Sequence, residues 1–177
     1  SYGAGPLGHR AFAETLEALG IHVLHSRGSR FSGPQAPVFF IEPAKEARVE
    51  GRLYKLRDAI DARAEAGLAS IVVLPKWHLS AGAVETTAIP DPQGEVDALL
   101  RDVLALAAGD ESPRVSLGPE SGHYELGGFL GYFAADIPRL QVFETLPPGA
   151  TVLLDCERGA VMIDVGGVIL VSEPDLL

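Results

Sequence analysis

Two short apolar runs, with an amphipathic segment between them, constrain the fold of this chain more than any other feature. The runs are Val38–Ile41 and Ser70–Leu74, and a proline closes each of them. Continuous apolar runs of this length are typical of strands buried on both faces, as in a parallel sheet. Between them, apolar residues recur at helical spacing at Leu53, Leu56, Ile60 and Ala64. A strand, a helix and a strand in this order predict a parallel crossover and therefore an α/β domain.

The residues before the first run predict a helix and a further strand. A glycine- and proline-rich loop leads into a segment with Phe12, Leu16 and Leu19 on one face. Gly20 stands where a left-handed cap ends many helices, and Ile21–His25 follows as a predicted strand.

Beyond the second run, the pattern predicts one more helix and then a β-rich part. A loop over 76–92 precedes a helix with core positions between Val96 and Ala107, capped by Gly109. Residues 110–131 are rich in glycine and charge; we interpret them as a surface excursion with one short strand at 114–117. The last third predicts strands at 140–143, 152–155, 160–165 and 168–171, with tight turns at Gly159 and at Gly166–Gly167.

Composition favours one globular domain over residues 1–177. The chain is 47% hydrophobic and 21% charged, so it has enough apolar surface for a core. Its formal charge of −10 repels phosphate backbones, which argues against nucleic acid as a partner. Local basic residues that still allow an anion contact are Arg27, Arg30, Lys45 and Arg48. No run is long enough to span a bilayer, and no signal peptide precedes the first helix.

Three segments carry a resemblance to a known family: Ser1–Val23, Ile71–Pro75 and Gly166–Leu177. They resemble uncharacterised membrane-anchored domains of unknown function that are related to class I glutamine amidotransferase-like and gliding-motility transporter-accessory domains. The resemblance implies a flavodoxin-like, mainly parallel sheet flanked by helices. It also implies a domain of a longer protein, held outside the cytoplasmic membrane by flanking segments, with a MoxR-type ATPase or transporter parts as neighbours. In these relatives a Gly-Gly-containing strand often follows the Ile71–Pro75 segment directly, whereas here a loop and a helix intervene.

The candidate nucleophiles lack the surroundings that catalysis needs. An amidotransferase cysteine stands on a strand-to-helix elbow, whereas Cys156 lies at a predicted hairpin edge between acidic neighbours, which favours a structural role. Glu120, Ser121 and His123 are close in sequence, but no Gly-x-Ser-x-Gly elbow surrounds them, so an ordinary polar loop is favoured. We therefore predict no catalytic residue.

Metal and cofactor sites are not predicted either. The five histidines are scattered, without the spacing of a zinc site. Gly3, Gly5 and Gly8 precede the first helix, where free amides and the adjacent His9 would suit an anion. Neither a Walker lysine nor a ribose-binding acid accompanies them, so a turn into the helix is the favoured interpretation.

Polar residues at the carboxyl ends of predicted strands mark the preferred ligand crevice. Lys76, Trp77 and His78 follow the second apolar run, where open parallel sheets bind ligands. Arg27, Glu42 and Glu173 follow other strands and are predicted to contribute to the same crevice. The ligand-binding prediction thus comprises His9, Arg27, Glu42, Lys76 and Trp77.

The leading hypothesis is a non-enzymatic module that binds a small ligand or a protein. The alternatives are a hydrolase or transferase that uses the loop at His123 or the edge at Lys76, and a scaffold that dimerises through its β-rich end.

Overall fold

A computed structural model describes residues 9–21, 23, 37–41, 52–76, 92–107, 111–119, 122–129 and 131–176. The helices of these ranges are α1 (His9–Ala18), α2 (Arg52–Glu65) and α3 (Pro92–Val103). The first strands are β1 (Val38–Ile41), β2 (Ser70–Val73), β3 (Val115–Leu117), β4 (His123–Gly128) and β5 (Gly131–Asp136). The remaining strands are β6 (Gln141–Phe143), β7 (Thr151–Cys156), β8 (Gly159–Val165) and β9 (Val168–Val171), followed by a 3₁₀ turn at Pro174–Leu176.

The described strands form one mixed sheet. Its order is β1-β2-β9-β8-β7-β4-β5, and β6 joins β3 to β8 beside this path. The predicted parallel pairing of the two apolar runs is confirmed, and β9 extends it on the far side of β2. The other described pairings are antiparallel, so the prediction of a mainly parallel sheet is wrong. Tight turns suffice to join antiparallel strands, whereas each parallel step needs a long crossover.

The turns of the last third are those that the glycines predict. Gly166 and Gly167 have φ angles of +61° and +90°, and they join β8 to β9 in a two-residue hairpin. Asp164 stabilises this turn, since its Oδ1 accepts a hydrogen bond of 2.8 Å from the Gly167 amide. The hairpin-rich C-terminal part is therefore confirmed.

Three helix ends show how the caps form. At Gly20, the amides of Gly20 and Ile21 donate to the carbonyls of Glu17 and Leu16, as in a Schellman motif. Gly67 ends α2 in the same way. The prediction that Gly109 caps the third helix is wrong: α3 stops at Val103, and Ala105 takes the left-handed position with φ +52°.

Other predictions fail near the first helix and in the middle of the chain. Ile21 and Val23 are not in a strand, and the rest of the predicted strand at 21–25 lies outside the described residues. Leu19 is 72% exposed because α1 ends before it. β1 is only half-buried, since it has a neighbour on one side alone among the described strands. The segment interpreted as a surface excursion, residues 110–131, contains β4, which pairs with β5.

The core consists of two apolar clusters on opposite faces of the sheet. Phe143 belongs to the first cluster and its neighbour Val142 to the second, and successive strand residues point to opposite faces. α2 and α3 cover the first cluster with side chains of Leu56, Ile60, Val96, Leu99, Leu100 and Val103. The second cluster lies under β4 and β7 and includes Tyr124, Leu126 and Leu154. No described helix has both the length and the apolar character needed to cross a bilayer.

Candidate functional site

The carboxyl edge of the parallel strands carries a buried ion pair between Lys76 and Glu173. β2 and β9 are parallel neighbours, so the residues that follow them meet at the same edge of the sheet. The Lys76 Nζ lies 2.8 Å from the Glu173 Oε1, with side-chain exposures of 2% and 0%. The structure thus brings together two residues that the sequence places separately at strand ends.

Both side chains of this ion pair have further hydrogen-bond partners. Besides Glu173, the Lys76 Nζ donates to the Asp175 Oδ2 at 2.6 Å and to the Pro138 carbonyl at 2.9 Å. The Glu173 Oε2 accepts a hydrogen bond of 2.7 Å from the backbone amide of Gln141. Its Oε1 accepts one of 2.9 Å from the backbone amide of Asp175. An ammonium group has three N–H donors, so the ammonium of Lys76 is fully used by the protein itself.

Gln141 and Ser172 extend the network beneath the ion pair. The Gln141 Nε2 donates to the Ser172 carbonyl at 2.6 Å and to the Pro75 carbonyl at 3.3 Å. The Ser172 Oγ lies 2.7 Å from the Gln141 carbonyl oxygen and 3.0 Å from that of Val161. These contacts connect the ends of β2 and β9 to the start of β6. The sequence patterns single out neither Gln141 nor Ser172.

Burial raises the pKa of Glu173 above 4.5, and the hydrogen bonds and the charge of Lys76 offset part of this rise. Asp175 is the accessible member of the cluster, with 34% of its side chain exposed. A ligand at this edge would therefore meet the Asp175 carboxylate before Lys76 or Glu173. The role of Lys76 in ligand binding stays a prediction.

Of the other predicted binding residues, the structure describes only the position of His9 in the backbone. His9 is the first residue of α1. Arg27, Glu42 and Trp77 lie outside the described residues, as do the other candidates of the anion and loop predictions: Gly3, Gly5, Gly8, Arg30, Lys45, Arg48, His78, Glu120 and Ser121.

His123 has a carboxylate partner at the far end of the sheet. Its Nδ1 lies 2.7 Å from the Asp136 Oδ1, across the pairing of β4 with β5. A carboxylate that orients an imidazole is one half of a Ser-His-Asp arrangement. The two side chains are 65% and 85% exposed, so water surrounds the pair, unlike the buried carboxylate of such a triad.

Cys156 lies at the end of β7, opposite Gly159, as the sequence predicts. Its half-buried side chain packs against the second apolar cluster. Among the described residues, no three or more His, Cys, Asp or Glu side chains form a group suited to a metal ion.

Among the residues that the structure describes, the two most exposed large hydrophobic side chains lie in the β4–β5 hairpin. Phe129 is 86% exposed, Tyr132 89% and Phe133 44%. We call these three residues the hairpin surface. β5 is the last strand in the sheet order, so the described strands leave its outer edge without a partner. Alternation in His123–Leu126 is the sequence feature that predicts such a strand, but the glycines around it hide the pattern.

Tyr132 also lies directly over its partner strand. It pairs with Gly127, and a Cβ atom at that glycine would lie 2.4 Å from the Tyr132 ring. The glycine therefore leaves room for the aromatic ring over the outer face of β4.

Comparisons with known proteins concern the fold. No protein-family model and no curated protein sequence matches the chain. A crystal structure of a glutamine amidotransferase is similar, with a TM-score of 0.57 and 21% sequence identity over 94% of this chain and 85% of that one. The chain therefore has an amidotransferase-like α/β fold, in which the sheet is mixed and rich in antiparallel strands.

Proposed function

We propose that this domain is a non-enzymatic protein-binding module and that the hairpin surface is its contact with the partner. The observation that carries the proposal is the exposure of Phe129 and Tyr132, at 86% and 89%. Aromatic side chains are enriched at the centres of interfaces, because they bury a large area at a small cost in conformational entropy.

The edge strand supports the same proposal. A strand edge with free backbone groups is a template for another chain, and proteins usually protect it with lysine, proline or a bulge. β5 reads Gly-Tyr-Phe-Ala-Ala-Asp, with neither lysine nor proline, and its pairing with β4 is continuous over six residue pairs. Among the described strands this edge has no partner, which suits a binding role.

The buried network around Lys76, at the other end of the sheet from the hairpin surface, argues against a catalytic site there. Its charged groups bind one another and the backbone, and Asp175 alone of its ionised groups is substantially exposed. The proposal includes the location that the family resemblance implies, on the extracytoplasmic side of a membrane-anchored protein.

A comparative capture experiment tests the proposal. The wild-type chain, a Phe129→Ser/Tyr132→Ser variant and a Leu146→Ser control are crosslinked to proteins of the source cells and analysed by mass spectrometry. Leu146 is also an exposed apolar residue, at 42%, but lies outside the hairpin. We expect a protein that the wild type and the control retain and that the double variant loses. Equal recovery with all three chains would contradict the proposal.

Enzyme assays test the part of the proposal that says the domain is not an enzyme. Hydrolase and transferase panels are run on the wild type and on Ser121→Ala, His123→Ala and Cys156→Ala. Turnover that any of these substitutions abolishes would show that the domain is an enzyme.

A further inference from the structure

We propose that the partner segment is an extended, basic peptide that adds to the outer edge of β5 as another strand. This inference rests on the proposed function and specifies the chemistry of the partner. It is carried by three observations: the direction of the free backbone groups, the charge of the exposed face and the position of Tyr132.

The hairpin register decides which backbone groups are free. Gly128 pairs with Gly131 next to the turn, so this pair closes the hairpin and exchanges backbone hydrogen bonds. The groups of Phe133 and Ala135 then also face β4, since the bonding pattern alternates. The amides and carbonyls of Tyr132, Ala134 and Asp136 point away from the sheet, where an added strand would bind them.

The exposed face beside this edge is acidic. The register places Asp155 of β7 opposite Gly127, and Asp136 opposite His123, so both carboxylates share one face with Glu125. Glu125 and Asp155 are exposed, and β4, β5 and β7 contain no lysine or arginine. Together with the formal charge of −10, this face attracts a basic segment.

Tyr132 lies on the same acidic face. Its ring covers Gly127, which lies two residues along β4 from Glu125 and opposite Asp155 of β7. A lysine or arginine side chain from an added strand would stack on this ring and reach a carboxylate at its end.

The same charges disfavour a second copy of this chain as the occupant. Antiparallel pairing of two β5 edges about a two-fold axis would set two acidic faces side by side, without a lysine or arginine from β4, β5 or β7 on either. A six-residue strand is also a short seam for a stable dimer, which usually buries about 1,200 Å² or more in total.

Fluorescence anisotropy with short labelled peptides tests the inference on the whole chain. The probe alternates lysine and valine; one control replaces each lysine by glutamate, and another carries a central proline that removes an amide. We expect the lysine peptide to bind, the other two to bind at least about tenfold more weakly, and added salt to weaken binding.

Matched variants locate the site. Glu125→Gln/Asp155→Asn should weaken the lysine peptide about threefold to tenfold, because two exposed ion pairs are lost. Glu111→Gln/Glu144→Gln removes two exposed carboxylates elsewhere and should leave binding unchanged. Amide hydrogen exchange should slow at residues 132, 134 and 136 when the peptide binds.

Equal affinity for the glutamate peptide would overturn the basic chemistry, and equal affinity for the proline peptide would overturn strand addition. A dimer in sedimentation equilibrium that Tyr132→Ser dissociates would identify a second copy as the occupant instead. If the lysine peptide does not bind, but capture of a cellular partner still requires Phe129 and Tyr132, only the inferred basic, extended character of the partner is wrong. If that dependence also fails, the proposed function is wrong.

Discussion

Lys76 holds together parts of the chain that are far apart in sequence. It is separated from Glu173 by 97 residues and from Pro138 by 62, and it contacts both within 2.9 Å. A buried charge is tolerated only when it is paired, because removing it from water is costly. The stability of this edge therefore depends on keeping both members of the pair.

Lys76→Met should destabilise the protein by about 3–5 kcal/mol, because it leaves the Glu173 carboxylate buried without its counter-charge. Urea denaturation followed by circular dichroism measures the loss. Arg114→Met, at an exposed basic residue, is the control and should change the free energy of unfolding by less than about 0.5 kcal/mol. Equal effects of the two substitutions would mean that the pair contributes little.

Glu173→Gln should cost more free energy of unfolding at low pH than at neutral pH. Burial raises the pKa of Glu173 above 4.5 in the folded state, so the folded protein holds this proton more tightly than the unfolded chain does. Its contribution to stability is complete below pH 4.5 and is lost as the pH rises through the folded pKa. Glutamine does not titrate, so the difference between wild type and variant should shrink as the pH rises above 4.5 and through the folded pKa.

Urea denaturation of both proteins across this pH range provides the measurement. A difference that grows with pH would mean that Lys76 lowers the pKa of Glu173 more than burial raises it.

At the scale of elements, Gly159 sets how closely β6 approaches β8. It has a φ of +148°, and a Cβ atom there would lie 2.6 Å from the Phe143 carbonyl oxygen. Phe143 pairs with Ala160, so this backbone contact belongs to the strand pairing.

Gly159→Ala should therefore destabilise the protein by about 2–4 kcal/mol, from the unfavourable φ and the clash together. Gly149→Ala separates the two causes, since Gly149 has a φ of +78° with no atom within 4 Å of a Cβ. The control should lose only about 1–2 kcal/mol. Thermal and urea unfolding compare the variants, and equal losses would exclude the clash.

Local patterns in the sequence predict several elements well. β1 and β9 have the predicted bounds, and Gly20 ends a helix as predicted, because burial and cap geometry depend on residues close in sequence. The β4–β5 hairpin escaped prediction, since glycines 127, 128 and 131 interrupt its alternating pattern. Glycine lowers strand propensity in isolation, and here it makes room for Tyr132.

The candidate sites depend on the order of strands, which no local pattern contains. Lys76 and Glu173 each stand at a predicted strand end, but their contact follows from β9 lying beside β2. The hairpin surface is harder still to predict, because the exposure of Phe129 and Tyr132 depends on the place of β5 at the end of the sheet order.

For the whole molecule, the sheet makes the two apolar clusters one cooperative unit. β8 contributes Ile163 to the first cluster and Val161 to the second. A substitution that destabilises one cluster should therefore also destabilise β8, which belongs to both clusters.

Leu100→Ala in the first cluster and Leu126→Ala in the second should each cost about 2–5 kcal/mol, since both side chains are fully buried. Both variants should still unfold in a single transition by calorimetry and by circular dichroism. Two resolved transitions in either variant would show that the clusters fold independently.

The place of β9 in the sheet has a consequence for synthesis on the ribosome. β2 binds β1 on one side, but its other neighbour is formed by Val168–Val171, which the ribosome adds long after β2. A nascent chain that stops before this strand holds an open hydrophobic seam along β2, so the two halves of the sheet can close only once translation has passed residue 171. Until then we expect chaperones to bind the incomplete chain, because the edge of β2 is exposed.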